Sequence, residues 1–515
     1  MGTATSALAW LDESTGRSTR MAVDGEPRAP SDVYFADDCV LVGKEATKAG
    51  RGTPDRLIRG VKRFLVRRSR LQPVGGTMLP AEAIAACLLK PLLAECCAAL
   101  GPDLAVAIGV PATFGDRERL AVVHAAEIAG VPLVGLVNET TAAALVWCEQ
   151  AGLIVRAFQG EVSERILICD LGASTFQAAV FEVAPGCVRT VAADGNNSLG
   201  GEDWDRWLTR RVQGSSVGDD AAISPQLRQS VQDAKHTLSV RRHVSMECDV
   251  LGHSRTLSRE EFEAGTTDLV ERLISIVESL LASAGMTWDD LAHVVLVGGG
   301  SRMPMVRRVF HSRWKKVPTW AAWADDAVAR GAAIYADYVR PRSQQDAAPP
   351  WRLTDITTRD LQWGAIARHD SSTEKRGARL AIRRGMPLPA EATATFLTRE
   401  EGQRSMSVPL YESRGSSNED AKHIGHVIVE RLPRAIPQSW PVDVTLRCSA
   451  GGCVTASAEV RALKANVGCE IERAASMSPI EVRQYRRILA KSCGLRSLAG
   501  EKTAWVATMP SEQSP

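Results

Sequence analysis

The sequence predicts an α/β fold followed by a small antiparallel β domain. Three observations carry that prediction. Between residues 100 and 340, short apolar runs alternate with stretches of helical period, the pattern of a sheet covered by helices. Two of those runs, at 166–169 and 294–297, lead directly into glycine turns. After residue 357 the period falls to two, with turn clusters between segments, as in antiparallel strands.

The elements follow in order. Residues 104–110 read as a buried strand and 116–129 as the helix after it, ended by Gly130. Residues 133–137 give a strand and 139–149 a helix. Residues 165–183 read as a strand pair turning at Gly172. Long helical periods occupy 225–238 and 259–284, and 327–338 closes the domain as a helix. Residues 340–350 are polar and proline-bearing and read as a linker. Alternating segments follow at 379–382, 393–398, 405–411, 426–430 and 442–446. An amphipathic helix at 478–491 precedes a polar tail.

Composition narrows the function classes. Hydrophobic residues at 45% and charged ones at 24% describe an ordinary globular chain, and 515 residues allow two or three domains. With 62 basic against 60 acidic residues, the net charge of +2 gives no general drive toward nucleic acid or membrane. The cluster Arg63, Arg67, Arg68 and Arg70 lacks interleaved aromatics and reads as a solvated loop. No run approaches the roughly 18 apolar residues of a spanning helix, and no signal-peptide pattern opens the chain. The 12 cysteines show no zinc-like pairing and sit mostly in apolar runs, so reduced thiols in a cytoplasm are expected.

Three short motifs carry the chemistry: Asp170-Leu-Gly-Ala-Ser-Thr-Phe, Leu199-Gly-Gly-Glu-Asp and Val297-Gly-Gly-Gly-Ser-Arg-Met-Pro304. Glycine at such turns lets backbone N–H groups approach a phosphate, and a helix starting after the turn adds its positive end. One such turn reads as well as a plain tight turn; three point to a nucleotide cleft. Asp170 ends a buried strand, where an unpaired carboxylate is expensive, so it is the leading functional acid. Lys62 alone reads as a solvated surface lysine, by far the commoner case, and Glu139 as an acid favoured at a helix start.

With these motifs in view, the chain resembles the seventy-kilodalton heat-shock chaperone family of the actin-like ATPase superfamily, from Gly2 to about residue 490. Val110-Pro-Ala-Thr-Phe114, Asn138-Glu-Thr-Thr-Ala-Ala-Ala144 and Ala234-Lys-His-Thr-Leu-Ser239 join the three glycine motifs in the family's order. The resemblance implies a two-lobed actin-like nucleotide-binding domain at 1–340 and a linker at 341–356. A β-sandwich peptide-binding domain would follow at 357–475, with a truncated helical lid remnant and polar tail at 476–515. It implies ATP/ADP and Mg2+ as ligands. Asp170 would hold the metal, largely through waters. Lys62, Glu139 and Thr175 would complete the catalytic set. Gly2, Thr3, Ala4, Thr5, Gly172, Ala173, Ser174, Gly200, Gly201 and Glu202 would surround the phosphates and sugar. Lys235, His236, Ser239, Gly298, Gly299, Gly300, Ser301, Arg302 and Asp325 would enclose the nucleoside. Phe396, Met406 and Val408 match a peptide pocket, and alternation alone would place them equally well in a sandwich core.

Departures from the family pattern bear on activity. The family opens on a strand ending Asp-Leu-Gly-Thr-Thr, which this sequence enters only at Gly2-Thr3-Ala4-Thr5-Ser6. Either a start upstream supplies that strand and its aspartate, or the sheet and the site lack them. Gln177 stands at a second aspartate, Gln232 and His236 at an acid and an arginine, and Thr140 at a proline. The linker keeps only some apolar character. The expectation is an ATP-dependent chaperone with weak ATPase activity that binds unfolded or extended apolar peptide segments under nucleotide control. A J-domain co-chaperone and a nucleotide exchange factor would be its partners, with neither nucleic acid nor membrane. The alternatives are a nucleotide-binding interaction module without efficient hydrolysis and a small-molecule kinase of the same superfamily.

Overall fold

A computed structural model describes residues 1–492 except 13, 38, 66–71, 75–76, 153–162, 185, 214–223, 249–252, 321, 341–350, 365–378, 416–420, 435, 461–464 and 474–475. Arg67, Arg68, Arg70, most of the expected linker and the C-terminal tail lie outside the described residues. Two compact units result. The first comprises Met1–Thr113, Ala125–Arg352 and the chain from Val482; the second comprises Phe114–His124 and Leu353–Glu481.

The first unit is built on a mixed sheet. His293–Val297 lies parallel to Glu164–Leu171, which pairs antiparallel with Phe176–Ala184, and that strand with Cys187–Asn196. Ile166, Leu167 and Ile168 are completely buried, as a run apolar on both faces requires. The helices Gly201–Gln213, Pro225–Val240, Thr267–Ser283 and Pro304–Trp314 cover one face through Trp204, Leu208, Leu273, Val277 and Phe310. The period at 259–284 resolves into two helices, Arg259–Gly265 and Thr267–Ser283.

A second sheet region is more broken. Val106–Val110 runs parallel to Leu133–Asn138 across the helix Asp116–Ala129. Leu8–Asp12 forms a hairpin with Arg17–Met21. Among the described residues, no strand joins these two pairs.

The sequence reading missed one long apolar helix. Ala81–Leu100 has 20 residues and holds an 18-residue window of mean hydropathy 1.8, long and apolar enough to cross a membrane. Glu82, Lys90 and Glu95 interrupt the run, which is why no continuous apolar stretch stood out. Residues Ala81 to Leu89 are all buried, so it serves as a core helix of this unit. The helix Pro479–Ser492 forms as expected, and from Val482 onward it belongs to the first unit, where Lys90 Nζ donates to the Leu489 carbonyl at 2.8 Å.

In the second unit, eight strands follow one another antiparallel in the order Arg379–Ile382, Asp360–Trp363, Met406–Ser413, Lys422–Glu430, Ala465–Glu472, Val454–Val460, Pro441–Cys448 and Ala390–Leu397. The array folds over on itself. Trp363 and Phe396, from opposite ends of the order, meet edge to face at 5.4 Å. Val408, Leu410, Val427, Val444 and Leu446, all fully buried, share the core between. The sequence named five of these strands. It did not name 360–363, 454–460 or 465–472, whose polar or small residues weaken the alternation.

Candidate functional site

The first unit brings the three glycine turns together. Asp170 pairs in register with Val297, so the turns after both strands open at the same edge of the sheet. The Gly172 N–H donates to the Thr175 carbonyl at 2.9 Å and closes the first turn. The second turn is sewn to it: the N–H groups of Gly201 and Glu202 donate to the carbonyls of Gly172 and Ala173 at 3.0 and 2.8 Å. A Cβ at Gly200 would lie 2.6 Å from the Ser174 backbone. At Gly298, φ is +80° and a Cβ would lie 2.4 Å from Asp170 Oδ1. Both positions therefore require glycine.

Charge converges beside these turns. Lys62 is buried and paired with Glu139, the first residue of the helix Glu139–Ala151. Lys62 is therefore not the solvated surface lysine that it reads as alone. Glu139 Oε2 accepts from Gln177 Nε2 at 2.6 Å, and Gln177 Oε1 accepts the Ala112 N–H at 2.5 Å. Burial, reinforced by Glu139 and opposed by Lys62, pushes the Asp170 carboxyl up to about 7. A buried acid so disfavoured as an anion is placed to gain from a cation.

On the far side of the cleft, Lys235 Nζ donates to the Gly201 carbonyl at 2.9 Å and pairs with Asp205 at 2.7 Å. The Ser239 hydroxyl donates back to the Lys235 carbonyl at 3.0 Å. Burial, aided by Lys235, pulls His236 below its usual value and favours the neutral ring. Arg302 pairs with Asp325, which also lies 3.5 Å from Arg28. Arg63 pairs with Glu202 across the phosphate turns.

These groups line a single cavity of about 2140 Å³. Gly2, Thr3, Ala4, Thr5, Lys62, Glu139, Asp170, Gly172, Ala173, Thr175, Gly201, Glu202, Lys235, His236, Ser239, Gly298, Gly299, Gly300, Arg302 and Asp325 all reach it. Ser174, Gly200 and Ser301 do not. Ser174 and Gly200 form the layer behind, with the Ser174 hydroxyl donating to Thr3 Oγ1 at 2.8 Å. Ser301 is buried and its hydroxyl turns inward to the Val297 carbonyl at 2.5 Å. Glycine turns, one lysine and a buried carboxylate form a donor set that fits a nucleotide phosphate chain with a hard cation.

A family model described as Hsp70 protein matches residues 70–492. The chain belongs to the Hsp70 family. Curated relatives named chaperone protein DnaK include that of Thermotoga petrophila, 28% identical over 483 residues, covering 89% of this chain and 77% of the relative. The DnaK proteins of Thermosipho africanus and Deinococcus deserti are 29% and 27% identical. They cover 89% and 93% of this chain and 77% and 79% of their own lengths. Hsp70 proteins in general bind ATP and ADP with Mg2+.

The expected peptide-site residues of this Hsp70 divide. Val408 and Met406 are buried in the sandwich core, while Phe396 is half-buried against Trp363. Sequence reasoning missed Asp205 as the partner of Lys235 and Gln177 as the partner of Glu139. The Gln177 link had a signal: a polar residue inside the apolar strand Phe176–Ala184 needs a buried partner.

Proposed function

We propose that this Hsp70 is a nucleotide-controlled peptide-binding chaperone. Its first unit would hold ATP or ADP with Mg2+, and its β unit would hold extended apolar peptide segments. The supporting observation is the convergence of three glycine turns, spread over about 130 residues of sequence, with Lys62, Glu139 and Asp170 on one cavity. The boundaries 1–340, 341–356, 357–475 and 476–515 belong to this reading.

Asp170 and its waters would hold the metal, which when bound supplies positive charge against the phosphates. The chain's own residues divide the remaining work. The turns at Gly172–Thr175 and Gly200–Glu202 orient the phosphates, and Lys62 supplies a fixed cation toward the terminal phosphoryl group. Lys62 stays in place because Glu139 anchors it. Nucleotides that favour different closures of the cleft then bias peptide affinity by linkage. Phe396 is the proposed contact with an apolar side chain of the peptide, with Met406 and Val408 behind it. A J-domain protein and an exchange factor are the proposed partners.

Calorimetry with Mg·ADP, followed by release of a labelled apolar peptide with and without ATP, tests the reading. Saturable one-to-one nucleotide binding and faster peptide release with ATP support it. Equal release rates under both conditions overturn nucleotide control. A second reading, a nucleotide-binding interaction module without efficient hydrolysis, is favoured by Gln177. Both oxygens of Glu139 are engaged, one by Lys62 and one by Gln177, so the carboxylate serves as an anchor. Single-turnover hydrolysis no faster than in the Lys62→Ala variant selects that second reading.

A further inference from the structure

Trp320 is the one tryptophan among the exposed large apolar side chains of the described residues, with 36% of its surface open. Its ring lines the same cavity as the glycine turns. The guanidinium carbons of Arg302 and Arg307 lie 5.8 and 5.5 Å from its centroid. Arg302 is also paired with Asp325. Its planar cation is thereby held between a carboxylate and an indole, which fixes the direction its face can offer.

The end of the helix Pro225–Val240 also reaches the cavity, and His236 on it is close enough to Arg302 to feel its charge. His236 and the 80% exposed Val240 line the cavity there. A neutral imidazole attracts a π face less strongly than a guanidinium does, so the helix side offers little cation–π attraction of its own. An exposed indole backing an arginine, in a cavity that an exposed valine also lines, is the composition of a slot for a flat aromatic ring.

We propose that Trp320 is a base-site residue of this chain: it backs Arg302 and forms the outer apolar wall against the purine ring of a bound nucleotide. The inference rests on the nucleotide reading above and adds a specific residue to the base end of that site. The phosphate end, at Lys62 and the glycine turns, is independent of it.

The test compares the full-length chain with its Trp320→Ala and Trp320→Phe variants. Each is titrated with Mg·ADP, with Mg·tripolyphosphate, which has no base, and by tryptophan emission. Trp320→Ala should weaken ADP roughly five- to tenfold, the size of one base–aromatic contact, and leave tripolyphosphate unchanged. Trp320→Phe, which keeps a ring, should bind ADP within about twofold of the parent. It should also lack the ADP-dependent emission change of the parent, and that comparison stands even where the alanine variant fails to fold. ADP binding unchanged in Trp320→Ala overturns this inference alone, as does an equal loss of ADP and tripolyphosphate. A parent chain that binds neither ligand overturns this inference together with the nucleotide reading.

Discussion

Gln177 bridges Glu139 and the backbone of Ala112: its amide nitrogen donates to Glu139 Oε2 at 2.6 Å, and its oxygen accepts the Ala112 N–H at 2.5 Å. The side chain is completely buried, so its amide has no water to turn to in place of these partners. Gln177→Leu leaves a carboxylate oxygen and an N–H unsatisfied, at a cost of about 1–3 kcal/mol in stability. Gln177→Asp places a second acid beside Glu139 and should also destabilise the metal-free protein. Added Mg·ADP should restore more of the loss in the aspartate variant, because only that variant has a charge for a cation to neutralise. Urea denaturation with and without Mg·ADP reads both effects. Equal recovery in the two variants contradicts the argument.

Lys62 and Glu139 form a buried pair whose halves depend on each other. Removing one partner leaves an uncompensated charge, so Lys62→Met and Glu139→Gln should each destabilise by about 3–5 kcal/mol. The double variant should recover much of that loss. On the chemical side, Lys62→Met should slow single-turnover ATP hydrolysis by about a hundredfold or more while changing ADP affinity far less. A double variant as unstable as the sum of the singles would show that the pair is not coupled.

Gly298 touches the acid that matters most to metal binding. Its φ of +80° and the 2.4 Å approach of a Cβ to Asp170 Oδ1 leave no room for a side chain. Gly298→Ala should therefore cost about 1 kcal/mol or more in stability and displace Asp170. Mg·ADP affinity should fall about tenfold, whereas Gly299→Ala, where a Cβ meets nothing within 4 Å, should leave it nearly unchanged. Similar effects from both substitutions would show that the turn tolerates a side chain at either place.

Much of this was legible because it is local. The strand before Asp170 and the glycine turns announce themselves by apolar runs and by the only residue type that fits, and the structure brings the turns together. What was illegible is long-range. Nothing in the frame around Lys62 says that it pairs with Glu139, 77 residues away, and nothing near Gln177 points to Ala112. Ser301 sits in the right motif but turns inward to Val297, a choice of rotamer that spacing cannot show. The strand Val454–Val460 was missed because its alternation is carried by alanine, serine and threonine, which give little contrast. In the helix Ala81–Leu100, Glu82 and Lys90 masked an apolar character that burial makes plain.

Asp32, which lines the same cavity with Thr47 and Arg59, gives a pH signature of its own. Its carboxylate opens the buried strand Asp32–Phe35, accepts from Thr47 at 2.8 Å and lies 3.4 Å from Arg59. Burial outweighs these partners and raises it above its ordinary 3.8. A raised acid favours folding while it is protonated. That contribution is complete below 3.8 and is lost as pH climbs through the higher folded value, after which it levels off. Asp32→Asn keeps an acceptor for Thr47 and cannot ionise. The stability of the variant relative to the parent should therefore rise between pH 4 and neutrality and then hold constant. A difference that is flat across this range, or that falls, would mean that Arg59 compensates the charge fully.

Phe396 and Val408 separate binding from folding in the β unit. Val408 is completely buried in the shared core, so Val408→Ala should lower stability by about 1–2 kcal/mol through lost contacts and a residual void. Because its methyl groups face the interior, peptide affinity should change little once the protein is folded. Phe396 is half-buried, and its ring meets Trp363 edge to face at 5.4 Å. Phe396→Ala removes a ring that is partly open to solvent. It should cost less in stability than truncating a fully buried phenylalanine, but weaken an apolar peptide by several-fold. Thermal melts alongside peptide anisotropy give both numbers for both variants. If Val408→Ala weakens the peptide more than Phe396→Ala does, the pocket opens deeper than this structure shows, and the peptide must reach the core side of the sheet.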